Sequence, residues 1–202
     1  MRKNDRLYKS IKGGLFHSTS IGGYKGIRER RQILWNDGSF PFSHGQTKCS
    51  SCWKLKAISL LDLRNPKVEM PLVGKDACTN WKTFLTNHDP VTVLLEIDPS
   101  SLSDPLLDFD ALQDSPEGRL TMVAEAEVCY RLPIPIEAVR RCVLVCSKVK
   151  GPFIFHVVPG TEISEIQFEE VQDRFEARLR KTGWTEPNHW ITTDACSNIE
   201  TG

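Results

Sequence analysis

"GGLFHSTSIGGYKGIRERRQIL", residues 13–34, decides how the rest of the chain is read. Its opening, "GLFHSTS", is a short apolar run of the kind that forms a strand, and it ends at Thr19. Ser20 then stands in N-cap position, and Ile21, Tyr24 and Ile27 recur at three-residue spacing on one face of a helix predicted over 21–32. His17 shares a strand face with Thr19, because side chains two apart on a strand point the same way. An imidazole at a strand end, just before a helix, is either a satisfied core group or a ligand-binding donor at the mouth of a cleft.

Outward from this unit the chain is rich in strands. "AISLLDL" (57–63) is apolar nearly throughout and predicts a strand covered on both faces. "VTVLLEI" (91–97), "RRCVLVCS" (140–147) and "GPFIFHVV" (151–158) predict three more. "TMVAEAEVCY" (121–130) alternates: Met122, Ala124, Ala126, Val128 and Tyr130 share one face, Glu125 and Glu127 the other. That pattern predicts a half-buried strand carrying two glutamates side by side. "NDGSFPFSHGQTKCSSC" (36–52) reads as a loop, and 99–118, rich in Asp, Ser and Pro, as a surface excursion. Helices are expected over 75–87 and after a capping box at Ser164 and Gln167, the latter ending at Gly183. Strands in the middle with helices toward the ends predict an α+β fold. The expected organisation is one domain over 1–184 with a flexible tail over 185–202.

Composition narrows the function classes. The 202 residues are 40% hydrophobic and 26% charged, which suits a packed globular core. No apolar run approaches the roughly 20 residues that span a bilayer, and "MRKNDRLYKSIKGG" lacks a secretory h-region, so no membrane partner and a cytoplasmic location are expected. In that compartment free thiols are the default for the seven cysteines. Net charge is zero but unevenly spread: residues 1–56 hold 12 Lys+Arg against 3 Asp+Glu. A basic first part would suit phosphates of a nucleotide or polynucleotide, or else attract the acidic remainder across the fold. The phosphate loops GxxxxGK[ST] and GxGxxG and the hydrolase elbow GxSxG do not occur. Cys49 and Cys52 form a CxxC with His44 nearby, but no second ligand pair completes a zinc site, and no metal is expected.

Three stretches together resemble one family. "LFHSTS" before a helix resembles the opening strand of the ADP-ribosyltransferase superfamily. "AISLLDL" falls where that superfamily has its second motif, on a strand of the NAD cleft. "AEAEVCYRLPIPIEAV" (124–139) resembles the final motif of DarT-like and related bacterial toxin or phage-defence ADP-ribosyltransferases. The resemblance covers about residues 13–146. It implies split β-sheets around an NAD cleft with flanking helices. It implies that His17 holds NAD ribose hydroxyls, with Thr19 on the same wall and Ser59 at the second-motif position. Glu127 would be the catalytic glutamate and Glu125 the first residue of an E-x-E pair. Tyr24, Trp35 or Phe40 could lend an aromatic face to the cationic nicotinamide ring. The implied activity is NAD-dependent mono-ADP-ribosyl transfer to DNA, RNA or protein, as a toxin or defence effector that could have an antitoxin or inhibitor partner. The chemistry suits these residue types: breaking the nicotinamide–ribose bond passes through an oxocarbenium-like state that a carboxylate stabilises. Other readings are an RNA 2′-phosphotransferase-like enzyme, an inactive nucleotide- or protein-binding module of the same fold, and a zinc-binding interaction domain built on Cys49 and Cys52.

Overall fold

The computed structural model describes residues 5–38, 51–64, 85, 91–108, 111, 126–146, 154–160, 173–174, 177 and 181. In chain order the elements are α1 (Asp5–Ile11), β1 (Leu15–Thr19), α2 (Ile21–Arg30), β2 (Gln32–Ile33), α3 (Ser51–Lys54), β3 (Ile58–Asp62), β4 (Val91–Ile97), β5 (Glu127–Tyr130), β6 (Ile134–Pro135), β7 (Val139–Cys146) and β8 (Ile154–Pro159). The fold is α+β. Six strands form one sheet in the order β5-β3-β1-β4-β7-β8, and β2 pairs with β6 in a separate two-stranded ribbon. Every strand pair among the described residues is antiparallel. The described residues thus hold one sheet of six strands and a ribbon of two.

The alternation of side chains sorts the core into two layers. On one face Leu15, Ile58, Leu60, Val93, Leu95, Val128 and Leu144 pack with Tyr24 and Ile27 of α2. On the other, Phe16, Leu61, Leu94, Val143 and Val145 pack with Leu7 and Ile11 of α1 and with Leu85. Central strands buried on both sides explain why β3 and β4 are nearly continuous apolar runs. Helix α2 starts as its sequence dictates: Ser20 accepts from Gly23 N at 3.0 Å. It ends at Arg31, whose φ of 55° is the left-handed conformation of a C-cap. Helix α1 is held by Arg141, which binds Glu96 on β4 and gives a 2.8 Å hydrogen bond to Ser10 O.

Three expectations need correction. The predicted strand over 121–130 is, among the described residues, a strand of four, with Ala126 in a turn. That strand is not half-solvated: all four residues are buried, because Cys129 also bridges to Leu107 on its outer edge. The loop expected over 36–52 gives way to the single helical turn of α3, which begins at Ser51. Helix 75–87, apart from the buried helical Leu85, lies outside the described residues, as do the capping box at Ser164 and Gln167 and the tail 185–202. Among the described residues no helix is long and apolar enough to cross a membrane.

Candidate active site

The β1–β3 ladder is short. Leu15 pairs with Asp62 and Phe16 with Leu61, and the register goes no further, although β1 runs on to Thr19 and β3 begins at Ile58. On its other side β1 pairs with β4 through all five residues, from Leu15↔Ile97 to Thr19↔Val93. The sheet thus opens between the second half of β1 and the first half of β3. Backbone groups at such an opening need other partners.

His17 supplies one. Its Nδ1 lies 3.2 Å from Ser59 O. A carbonyl oxygen only accepts, so Nδ1 carries the hydrogen, and in the neutral ring Nε2 is the acceptor nitrogen. Ser59 is engaged on its other side as well. Its Oγ donates to Glu127 Oε1 at 2.5 Å, the length of a charge-assisted bond to a carboxylate. Strands β3 and β5 set this contact: Leu61 pairs with Glu127 and Ser59 with Cys129, so Ser59 and Glu127 are diagonal neighbours on the α1 side of the sheet. Glu127 is only 7% exposed, one of the few buried charged or polar side chains of the described chain. A carboxylate is placed in such a site only with hydrogen-bond partners, and Ser59 is one of them.

His17, on the α2 side of the sheet, and Glu127, on the α1 side, are thus linked across the sheet through Ser59, whose carbonyl meets the imidazole and whose hydroxyl meets the carboxylate. Thr19 and Tyr24 are not part of this link. Thr19 is buried against the first turn of α2, so closely that a Cβ on Gly23 would lie 2.1 Å from its Oγ1. The Tyr24 ring is buried in the α2-side apolar layer, with the Arg28 guanidinium 5.9 Å from its centroid. Trp35 packs half-buried on the same layer. Arg31 pairs with Glu137 at the surface. Glu125, Phe40, His44 and Cys49 lie outside the described residues.

One feature beside Glu127 has no signal in the sequence. Cys52 and Cys129 form a disulfide. This corrects the expectation of free thiols for these two, and it removes Cys52 as a zinc ligand in this form. Their 77-residue separation explains why no motif pointed to the pairing. Cys142 and Cys146 are buried thiols outside any disulfide, as their strand sequence implies. Burial pushes the Cys142 thiol up to about 12, so it stays protonated and inert at neutral pH. Among the described residues no group of His, Cys, Asp and Glu could hold a metal ion. Comparison with family models, with curated proteins and with solved structures finds no match to this chain.

Proposed function

We propose that the protein is an NAD-dependent mono-ADP-ribosyltransferase of the DarT-like kind, acting in the cytoplasm as a toxin or defence effector. One observation carries the reading. The stretches that resemble the family's three motifs lie far apart in sequence, and their residues His17, Ser59 and Glu127 are joined by hydrogen bonds where the sheet opens, His17 from one face and Glu127 from the other. The opening between β1 and β3 also supports the finer expectation of a split sheet around a donor cleft.

The roles follow from the hydrogen bonds. His17, tied by its Nδ1–H to Ser59 O, is assigned to the ribose hydroxyls of the donor. Ser59 Oγ fixes the rotamer of Glu127. Glu127 accepts from the ribose 2′-hydroxyl and stabilises the cationic anomeric carbon as nicotinamide leaves, a contribution of about 2.7–4 kcal/mol for one well-placed group. The acceptor, a nucleic-acid or protein nucleophile, bonds to that carbon and releases its proton. Glu125, two residues earlier in sequence, is assigned to the acceptor side.

The test is incubation of the purified chain with labelled NAD and a panel of DNA, RNA and protein acceptors. Label transfer in the wild type, lost in Glu127→Gln with NAD binding retained, is the expected result. Equal activity in Glu127→Gln would end the assignment.

A further inference from the structure

We propose that the Cys52–Cys129 bond is a redox latch on Glu127: the oxidised form holds the carboxylate competent, and two-electron reduction slackens it. The inference deepens the transferase reading, since it assigns regulation to the same site.

Three observations lead to it. Cys129 stands two residues after Glu127 on the same pleat of β5, and its register partner is Ser59. Cys52 Sγ lies 3.9 Å from Glu127 Oε1, the oxygen that Ser59 binds. In the disulfide this sulfur has no hydrogen to donate. Both cysteines are buried, Cys52 at 2% and Cys129 at 0% exposure, in a small cluster with Ala57, lined by Leu55 and Leu107. Two unbonded thiols need more room than one covalent bond, and a packed cluster yields only by moving an element. The element free to move is α3, a single turn of four residues that cannot hold itself as an isolated helix. In the cytoplasm, the location proposed above, a disulfide is characteristically a transient, sensing one.

The chemistry is thiol–disulfide exchange with a dithiol reductant. Its thiolate attacks one sulfur of the pair, the Cys52–Cys129 bond breaks, and a mixed disulfide forms. The reductant's second thiol displaces the protein sulfur and closes a ring disulfide. Two electrons and two protons pass to the protein, leaving Cys52 and Cys129 as thiols. The Cys52 S–H is then a new donor beside Glu127 Oε1, in competition with Ser59, and β5 loses its tie to α3. Cys142 and Cys146 lie in the opposite core layer and take no part.

The experiment uses the full chain, air-oxidised or treated with a water-soluble dithiol. Peptide mapping under non-reducing conditions must show Cys52 joined to Cys129 in the oxidised sample; a Cys49–Cys52 link in its place overturns the proposal. Amide hydrogen exchange is then compared over residues 51–62 and 127–130. Reduction should speed exchange there by about tenfold and leave β4 and β7 unchanged, and reoxidation should reverse it. Equal protection in the two forms overturns the latch, whatever the activity. NAD turnover separates the two claims. The expected result is that kcat falls about tenfold on reduction with KM for NAD little changed, and that Cys52→Ala is low in activity and indifferent to dithiol. Turnover that is equal in both forms refutes the latch and leaves the transferase reading standing. No turnover in either form, with the exchange difference present, refutes the transferase reading and leaves the latch standing.

Discussion

Ser59 is the smallest unit on which the site depends, since it gives its hydroxyl to Glu127 and its carbonyl to His17. Ser59→Ala removes one partner of a buried carboxylate while leaving the backbone bond intact. The expected cost is about 1–3 kcal/mol of stability in denaturant titration, because an unsatisfied buried acceptor is expensive. His17→Ala removes a bond at a half-buried carbonyl, so the expected cost is smaller, about 0.5–1.5 kcal/mol, with weaker NAD binding and a cooperative melt preserved. A pH effect belongs to Cys142, whose thiol pKa is pushed from 9.0 to about 12 by burial. Below pH about 9 the thiol is neutral in both states and contributes no pH dependence. Between about 9 and about 12 the unfolded chain loses the proton while the folded one keeps it, so stability falls with rising pH, by on the order of 4 kcal/mol at most. Cys142→Ala should flatten that part of the alkaline loss in denaturant midpoints taken from about pH 8 to about pH 11. His17, Ser59 and Glu127 stand out in the sequence because each sits in a short stretch that resembles a motif; that hydrogen bonds connect them is visible only in the fold. The disulfide was not legible, because nothing local in 77 residues of separation marks which cysteines meet.

At the scale of elements, the β1–α2 junction makes the sharpest prediction. Gly22 and Gly23 are adjacent on the first turn of α2. Alanine in a helix is ordinarily worth about 0.5–1 kcal/mol over glycine. At Gly22 an added Cβ meets Ser20 Oγ at 3.9 Å, an ordinary contact, so Gly22→Ala should raise the melting temperature. At Gly23 it would meet Thr19 Oγ1 at 2.1 Å, so Gly23→Ala should lower it and disturb the end of β1 beyond His17. Strands β1, β3, β4, β7 and β8 were legible to within about three residues at either end, since period-2 or continuous apolar patterns mark them. Helix α1 was overlooked, although Leu7, Tyr8 and Ile11 have helical spacing, because the basic residues around them masked the stripe. Helix α3 was hidden in a run of turn formers; packing and the disulfide hold it, not propensity. The burial of Glu127 is hidden in the sequence for a related reason. Alternation reveals which residues share a face, but only the bridge to Leu107 and the cluster around Cys129 reveal that the polar face is covered.

For the molecule as a whole, charge makes the remaining prediction. The basic first part and the acidic remainder touch through Arg31 and Glu137, while Arg140–Asp98 and Arg64–Asp62 lie within the remainder. Arg28 and Arg30 stand in the last turn of α2, on the side of the sheet that His17 faces. Binding of an oligonucleotide acceptor should weaken steeply as salt rises, with a gentler slope in an Arg28→Gln/Arg30→Gln variant. A salt-insensitive acceptor would redirect the search to protein. The strand order has a consequence in time. His17, Ser59 and Glu127 come from strands that are neighbours in space and far apart in the chain, and the last arrives only with β5. A polypeptide growing on the ribosome adds about 5–20 residues each second, so it carries its imidazole and its serine for several seconds before it has any carboxylate to set beside them. On the transferase reading proposed above, the growing chain is inactive during that interval, and any restraint on the finished enzyme has those seconds in which to be ready.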